Sequence, residues 1–327
     1  MDANEREEAV LAALRAAVPA SVSGEDLARA LGVSRVAVAK RVHALREQGY
    51  AIEASPGLGY RLLSAPDLPL PAEVRPLLRS SFWVRLTGGG ATGSTNDDVK
   101  AISRGGAEQG TVVLASEQTG GRGRLGRGWL SPPGGVYLSF LLRPPLAPAE
   151  MSPLPLVAGI GLARGLDALG FAAGLKWPND VLLDGGKLAG ILVEMSAESE
   201  RVEWAVVGCG INVRRPEAPP AGAAYLEDAG TAPRLAEVAA SALDGLASAW
   251  EQFIVSGFPS LEAEYESRSI IMGERVAVRD AGGALRAEGR VAGVDEGGRL
   301  VVEGPDGTVA LAAGDVTLRG DFGGTIE

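Results

Sequence analysis

The chain has 327 residues, a formal net charge of −10, 46 % hydrophobic and 22 % charged residues, which excludes a disordered chain and predicts two or three domains at roughly 100–200 residues each. Its longest apolar run, residues 154–163, soon meets Arg164 and Asp167, short of the roughly 20 residues a bilayer span needs, so no membrane partner is expected. A lone Cys209 rules out an intrachain disulfide, and a lone His43 removes Ser-His-Asp catalysis and His-based zinc sites unless they lie around it.

The first residues lack the basic-then-apolar order of a signal peptide, so with the lone cysteine they predict a cytoplasmic location. Val10, Leu11, Leu14 and Val18 at helical spacing predict a helix over residues 5–18, ending at Pro19. A second helix runs from Ser23 to a stop at Gly32, and Ser34 caps a third that reaches about Gln48. Two helices joined by a short glycine-containing turn form the helix-turn-helix pattern. Val38, Val42 and Leu45 stripe the third helix, leaving Ser34, Arg35, Val36, Ala39, Lys40 and His43 as candidates to enter a DNA major groove. A hairpin over residues 50–63 would be the wing of a winged helix. Residues 1–63 hold eight bases and eight acids, yet four of the bases (Arg35, Lys40, Arg41, Arg46) fall in the third helix against Glu47 alone. The acidic total means that DNA affinity must be local, and a protein-interaction role for this region stays open. Pro66, Pro69 and Pro71 mark a linker. The expected division is 1–66, 67–271 and 272–327.

Next come a strand over residues 83–86 and a helix capped by Ser94 or Thr95 that ends near Ser103. A plain cap explains both residues as well as a ligand would. Between strands at 111–115 and 136–141 lies Gln118-Thr119-Gly120-Gly121-Arg122-Gly123-Arg124-Leu125-Gly126-Arg127-Gly128-Trp129. No Asp or Glu occurs from Gln118 to Ala149, whereas Arg122, Arg124, Arg127 and Arg143 do, so positive charge is concentrated where glycines permit close backbone approach and φ > 0. Forked guanidinium donors there suit phosphate or carboxylate oxygens. Lys176-Trp177-Pro178-Asn179-Asp180 opens a hairpin that returns at Lys187, and Gly208-Cys209-Gly210-Ile211-Asn212 closes another strand. Cys209 reads as packing, because no basic group adjoins it in sequence. Helices over 235–256 and 260–268 precede five short strands from Glu274 onward, a pattern of SH3-like β barrels.

The loop at 118–129, with Ser94-Thr95-Asn96, Trp177-Pro178-Asn179-Asp180, Lys187-Leu188-Ala189-Gly190-Ile191-Leu192-Val193-Glu194 and Gly208 to Asn212, resembles the biotin protein ligases over nearly the whole chain. Residues 23–63 resemble the DNA-binding domain of the bifunctional members that repress biotin-synthesis operons. The resemblance implies an α+β chain with an N-terminal winged helix, a central mixed-sheet α/β ligase domain of class II synthetase type and a C-terminal SH3-like barrel. It implies that ATP activates biotin to biotinyl-5′-AMP, whose acyl group passes to a lysine of the biotin carboxyl carrier protein of acetyl-CoA carboxylase. By the same resemblance Ser94, Thr95, Asn96, Gln118, Arg122, Gly123, Arg124 and Lys187 face biotin, and Arg122, Arg124, Arg127, Trp129, Asn179, Asp180, Lys187 and Asn212 face ATP or the adenylate. Arg124 and Lys187 are the catalytic candidates. Mg²⁺ is expected with ATP and no other metal site is. Trp129 would anchor a lid, and operator DNA and an adenylate-bound homodimer are the further partners implied. A lipoate or octanoate ligase and a biotin-sensing regulator without catalysis are the alternatives.

Overall fold

The computed structural model describes residues 3–198, 200–231, 233–305, 307–319 and 325–326. They form two compact units, Met1–Leu68 and Pro69–Glu327.

In the first unit, helices α1 (Ala3–Ala17), α2 (Gly24–Leu31) and α3 (Arg35–Glu47) precede the antiparallel strands β1 (Ala51–Ser55) and β2 (Gly59–Ser64). Val10, Leu11 and Leu14 bury the inner face of α1, but Val18 is 52 % exposed and lies past the helix end, so the apolar stripe stops one turn earlier than its spacing suggests. Ser23 and Ser34 cap α2 and α3 by accepting the backbone N–H groups of Asp26 and Ala37, each cap stabilising its helix by about 1 kcal/mol. Val22 bridges Tyr60, adding a short edge to the wing. Glycine is required at 59, where φ is 97° and a Cβ would sit 2.0 Å from the Val22 carbonyl oxygen.

The second unit begins with α4 (Pro71–Val74), β3 (Arg85–Gly88), β4 (Ala91–Thr92), α5 (Thr95–Arg104), β5 (Thr111–Ala115), β6 (Glu117–Gln118) and β7 (Val136–Leu142). It continues with α6 (Leu154–Ala168), β8 (Gly174–Lys176), β9 (Asp180–Leu183), β10 (Gly186–Glu198), β11 (Arg201–Ile211), α7 (Leu235–Ser256) and α8 (Pro259–Arg268). A seven-stranded sheet runs β3-β5-β7-β11-β10-β9-β8, parallel only between β3 and β5. The strand expected at 83–86 begins two residues later, because Trp83 is drawn into the core, where its indole donates to the Leu243 carbonyl.

The two faces of the sheet are covered differently. Phe140, Leu142, Val207, Cys209 and Ile191 face a large core shared with α6 and α7. On the other face, Val113, Leu141, Val206 and Trp204 pack against Val99 of α5, while Gly190, Gly208 and Gly210 leave the rest of that face bare. The apolar run at 154–163 proves to be most of α6, a helix buried on nearly every side. Lacking a polar face, it has no amphipathic period for sequence reading to detect. Gly161 and Gly165 let α7 approach so closely that a Cβ on Gly165 would meet the Ser241 carbonyl oxygen at 2.5 Å.

Strands β12 (Arg275–Arg279), β13 (Leu285–Val294), β14 (Leu300–Gly304), β15 (Gly307–Leu311), β16 (Asp315–Arg319) and β17 (Thr325–Ile326) form an antiparallel sheet ordered β15-β14-β13-β12-β16-β17. Val276, Val291, Val302 and Val316 join the same core as α6 and α7, and Trp177 donates its indole N–H to the Gly298 carbonyl at 3.0 Å.

Candidate active site

A cavity of about 810 Å³ opens over the bare part of the sheet. Its floor is glycine for a steric reason. A Cβ on Gly210 would lie 2.3 Å from the indole nitrogen of Trp129, one on Gly190 3.0 Å from the same ring, and one on Gly208 2.0 Å from Asn96 Oδ1. Trp129 thus rests directly on the strands, with its buried indole N–H unpartnered.

The loop that carries Trp129 closes at its base. Gln118 N–H donates to Ser131 O at 3.0 Å, Trp129 N–H to Gly121 O at 2.9 Å and Gly123 N–H to Arg127 O at 2.7 Å. Gly121 permits this crossing, since a Cβ there would come within 2.4 Å of Trp129 O. Of the loop glycines only Gly126 takes positive φ, joined by the exposed Leu125 at 57°.

Beside the floor lies a neutral polar cluster. Ser94 flanks α5 without a side-chain cap; instead the Gln118 carboxamide oxygen takes the Thr95 N–H at 2.9 Å and its hydroxyl at 3.0 Å, while Gln118 Nε2 donates to Ser131 Oγ. The plain-cap reading therefore fails: Ser94, Thr95 and Asn96 are buried polar residues lining the cavity. The other group is cationic. Arg124 is partly buried and donates to Asn179 Oδ1 at 3.3 Å; burial lowers its pKa against the pull of Asp315 and Asp180. Lys187 Nζ lies 2.7 Å from Asp180 Oδ1 and 5.3 Å from the Trp129 ring centroid. A register shift between Lys187 and Ala189 buries Leu188 and Ala189 in the core and returns Lys187 and Gly190 to the cavity side.

Arg122 and Arg127 are engaged differently. Asp97 accepts Arg122 in bidentate fashion at 2.6 and 2.7 Å, and Arg122 with Lys100 holds the Asp97 carboxyl well below the usual range. Arg127 ion-pairs with Asp315 of β16. All the sequence-predicted biotin and nucleotide residues line this cavity except Asn212. Asn212 donates to Lys187 O at 3.2 Å and lines an adjoining pocket of about 270 Å³ with Trp129, Tyr137, Arg214 and Tyr225. Cys209 packs in the core, where burial pushes its thiol pKa up.

On α3, Ser34, Arg35, Val36, Ala39, Lys40 and His43 are all exposed. Two of the four bases counted there also bond backbone carbonyls: Arg41 donates to Ala37 O and Arg46 to Ile52 O. In the wing, Arg61 pairs with Glu53.

The sequence pattern of the Biotin/lipoate A/B protein ligase family matches residues 89–212, that of an HTH domain residues 6–61, and that of the Biotin protein ligase C terminal domain residues 271–319. Bifunctional ligase/repressor BirA of Bacillus subtilis is 32 % identical over 91 % of this chain and 94 % of its own. The chain belongs to the biotin protein ligase family. Its Escherichia coli member BirA is 33 % identical over 91 % of this chain and 92 % of its own, and the biotin–[acetyl-CoA-carboxylase] ligase of Mycobacterium tuberculosis 37 % over 72 % and 90 %. The biotin protein ligase from Aquifex aeolicus, solved with biotin and ATP, superposes with a TM-score of 0.63 at 30 % identity, covering 72 % of this chain and 99 % of that one.

Within this family site, sequence reading gave no role to Asp97, Lys100, Ser139 and Glu194, which tie the polar cluster together, or to the β16 residues Asp315 to Leu318 along the cavity wall. The Asp97-Asp98 pair after Ser-Thr-Asn and Glu194 at the end of the Lys187 segment gave local signals. Ser139 sits inside an apolar strand and Asp315 comes 188 residues after Arg127.

Proposed function

We propose that the chain is a bifunctional biotin protein ligase: it makes biotinyl-5′-AMP from biotin and ATP, passes biotin to a lysine of a biotin carboxyl carrier domain, and represses transcription through its winged helix. The observation that carries the reading is one cavity holding two chemically distinct groups, the neutral cluster of Ser94, Thr95, Asn96 and Gln118 and the cationic pair Arg124 and Lys187. Neutral donors and acceptors suit a cyclic urea, and the cations suit a carboxylate and an α-phosphate.

In the first step a biotin carboxylate oxygen bonds to the α-phosphorus of ATP and the bond to pyrophosphate breaks. Arg124 and Lys187 would stabilise the charge that gathers on the α-phosphoryl oxygens, aided by Mg²⁺ brought with ATP. In the second, the neutral acceptor amine attacks the biotinyl carbonyl carbon, AMP leaves and the amine loses a proton. No protein nucleophile is needed. Between steps the loop around Trp129 keeps water from the anhydride, and the pocket of Trp129, Tyr137, Tyr225 and Asn212 is an aromatic slot fit for adenine. Arg122, held by Asp97, serves the biotin side of the cavity.

Residues 1–66, 67–271 and 272–327 would be the winged helix, a class II synthetase-like ligase domain and an SH3-like barrel. Operator DNA would meet the exposed face of α3, and the adenylate-bound chain would dimerise to place two such faces on a palindrome. ATP and carrier protein as substrates place the activity in the cytoplasm.

The test is biotin-dependent ATP–pyrophosphate exchange followed by transfer of labelled biotin to a carrier domain. Exchange driven by lipoate or octanoate instead would make this a lipoyl ligase, and biotin binding with no exchange would reduce it to a sensor.

A further inference from the structure

Behind the cavity floor a hydrogen-bond chain runs from Glu194 on β10 through Asn96 and Ser139 to Thr95 and Gln118. We infer that Glu194, which does not line the cavity, is a positioning residue that sets the donor and acceptor pattern Thr95 presents to biotin. The inference rests on the biotin-ligase reading of the site and adds to it a residue outside the cavity wall.

The argument is a count of protons. An ionised carboxylate only accepts, and Glu194 receives Lys100 Nζ at 2.9 Å and Asn96 Nδ2 at 2.8 Å. Burial raises the Glu194 pKa, but the bonds from Lys100 and Asn96 and the nearby Arg122, 3.7 Å away, outweigh it and keep the group ionised. Asn96 must therefore turn its amide nitrogen to Glu194 and its oxygen to Ser139. Ser139 is fully buried, with Oγ 2.6 Å from Asn96 Oδ1 and 2.7 Å from Thr95 Oγ1, and it has one proton. That proton goes to the amide oxygen, which can only accept. Ser139 thus offers Thr95 a lone pair, and Gln118 Oε1, already taking the Thr95 N–H, offers another. The Thr95 hydroxyl proton is drawn inward to one of the two, so the cavity meets Thr95 as an acceptor. An acceptor suits a ligand N–H, as in the cyclic urea of biotin.

Without a fixed anion at 194 the order can reverse. If Asn96 flips, its nitrogen donates to Ser139, Ser139 donates to Thr95, and the Thr95 proton must go to Gln118 Oε1, so Thr95 and Gln118 together keep one lone pair fewer for a ligand N–H. Gly208 supports the arrangement, since its missing Cβ leaves the space, 2.0 Å from Asn96 Oδ1, in which the amide lies.

The experiment uses the full chain and titrates biotin by calorimetry, with KM for ATP and Tm measured alongside, for wild type, Glu194→Gln, Asn96→Asp and the double variant. Each single change should raise the biotin Kd at least about tenfold, the scale of one lost or opposed hydrogen bond, and leave the KM for ATP within about twofold. The double variant should return biotin Kd to within about threefold of wild type, because Asp at 96 accepts from Ser139 while Gln at 194 donates to it. Wild-type-like binding by Glu194→Gln, or a double variant as weak as the product of the singles, overturns the inference. If Glu194→Gln does not fold, Asn96→Asp against the double variant decides alone. Failure of wild type to bind biotin would overturn the ligase reading itself, an outcome distinct from the other two.

Discussion

Replacing Lys187 with alanine separates chemistry from stability. The side chain is 40 % exposed, lies over Trp129 and pairs with Asp180. Exposed pairs of this kind contribute about 1 kcal/mol at most, and Asp180 keeps the electrostatic company of Arg124. The melting temperature should therefore fall by no more than about 2–4 °C. Adenylation should suffer far more. A cation aimed at charge developing in the transition state is worth roughly 100–1,000-fold in rate, as for removal of a preorganised oxyanion donor. The assay is biotin-dependent ATP–pyrophosphate exchange at saturating substrates beside a thermal melt. A rate within about threefold of wild type, or a loss of rate explained by unfolding at the assay temperature, would return Lys187 to a solvated surface lysine.

Arg124→Gly removes the contact to Asn179 and adds backbone freedom to the loop, so the adenylate should escape and label bystander lysines several-fold more than wild type, with carrier labelling retained; blotting of a mixed protein sample checks it. The Asp97 carboxyl is held low chiefly by Arg122, so its folded pKa lies below its unfolded one and its contribution is present above the unfolded value and lost as pH falls through the folded one. Melts should show the Tm gap between wild type and Asp97→Asn narrowing as pH drops below the ordinary carboxylate range, and a gap that widens there would refute the pairing. Deleting residues 1–66 should leave carrier biotinylation measurable, since Pro69–Glu327 is a compact unit of its own, and should abolish a gel shift of biotin-operon DNA. Because residues 1–63 hold as many acids as bases, few phosphates should be contacted, and the shift of the intact chain should weaken only shallowly with salt, a slope of about −0.9 per phosphate neutralised.

Features that depend on neighbours in the chain were legible in the sequence. Ser23 and Ser34 announced the starts of α2 and α3, Val38, Val42 and Leu45 the buried face of α3, and the Gly/Arg run the anion-seeking loop, because caps, helical period and local charge act over a few residues. The resemblance carried the residue roles further. Tertiary structure decided the rest. It paired Arg122 with Asp97, put Asn212 in a side pocket, aligned Gly190 and Gly210 from two strands under Trp129 and Gly208 against Asn96, and joined Asn96 to Glu194 across 98 positions. It turned an apolar run without a period into the central helix α6. The strand register and the bulge at Lys187 select which side chains share a face, and no local pattern records which distant strand a residue will pair with.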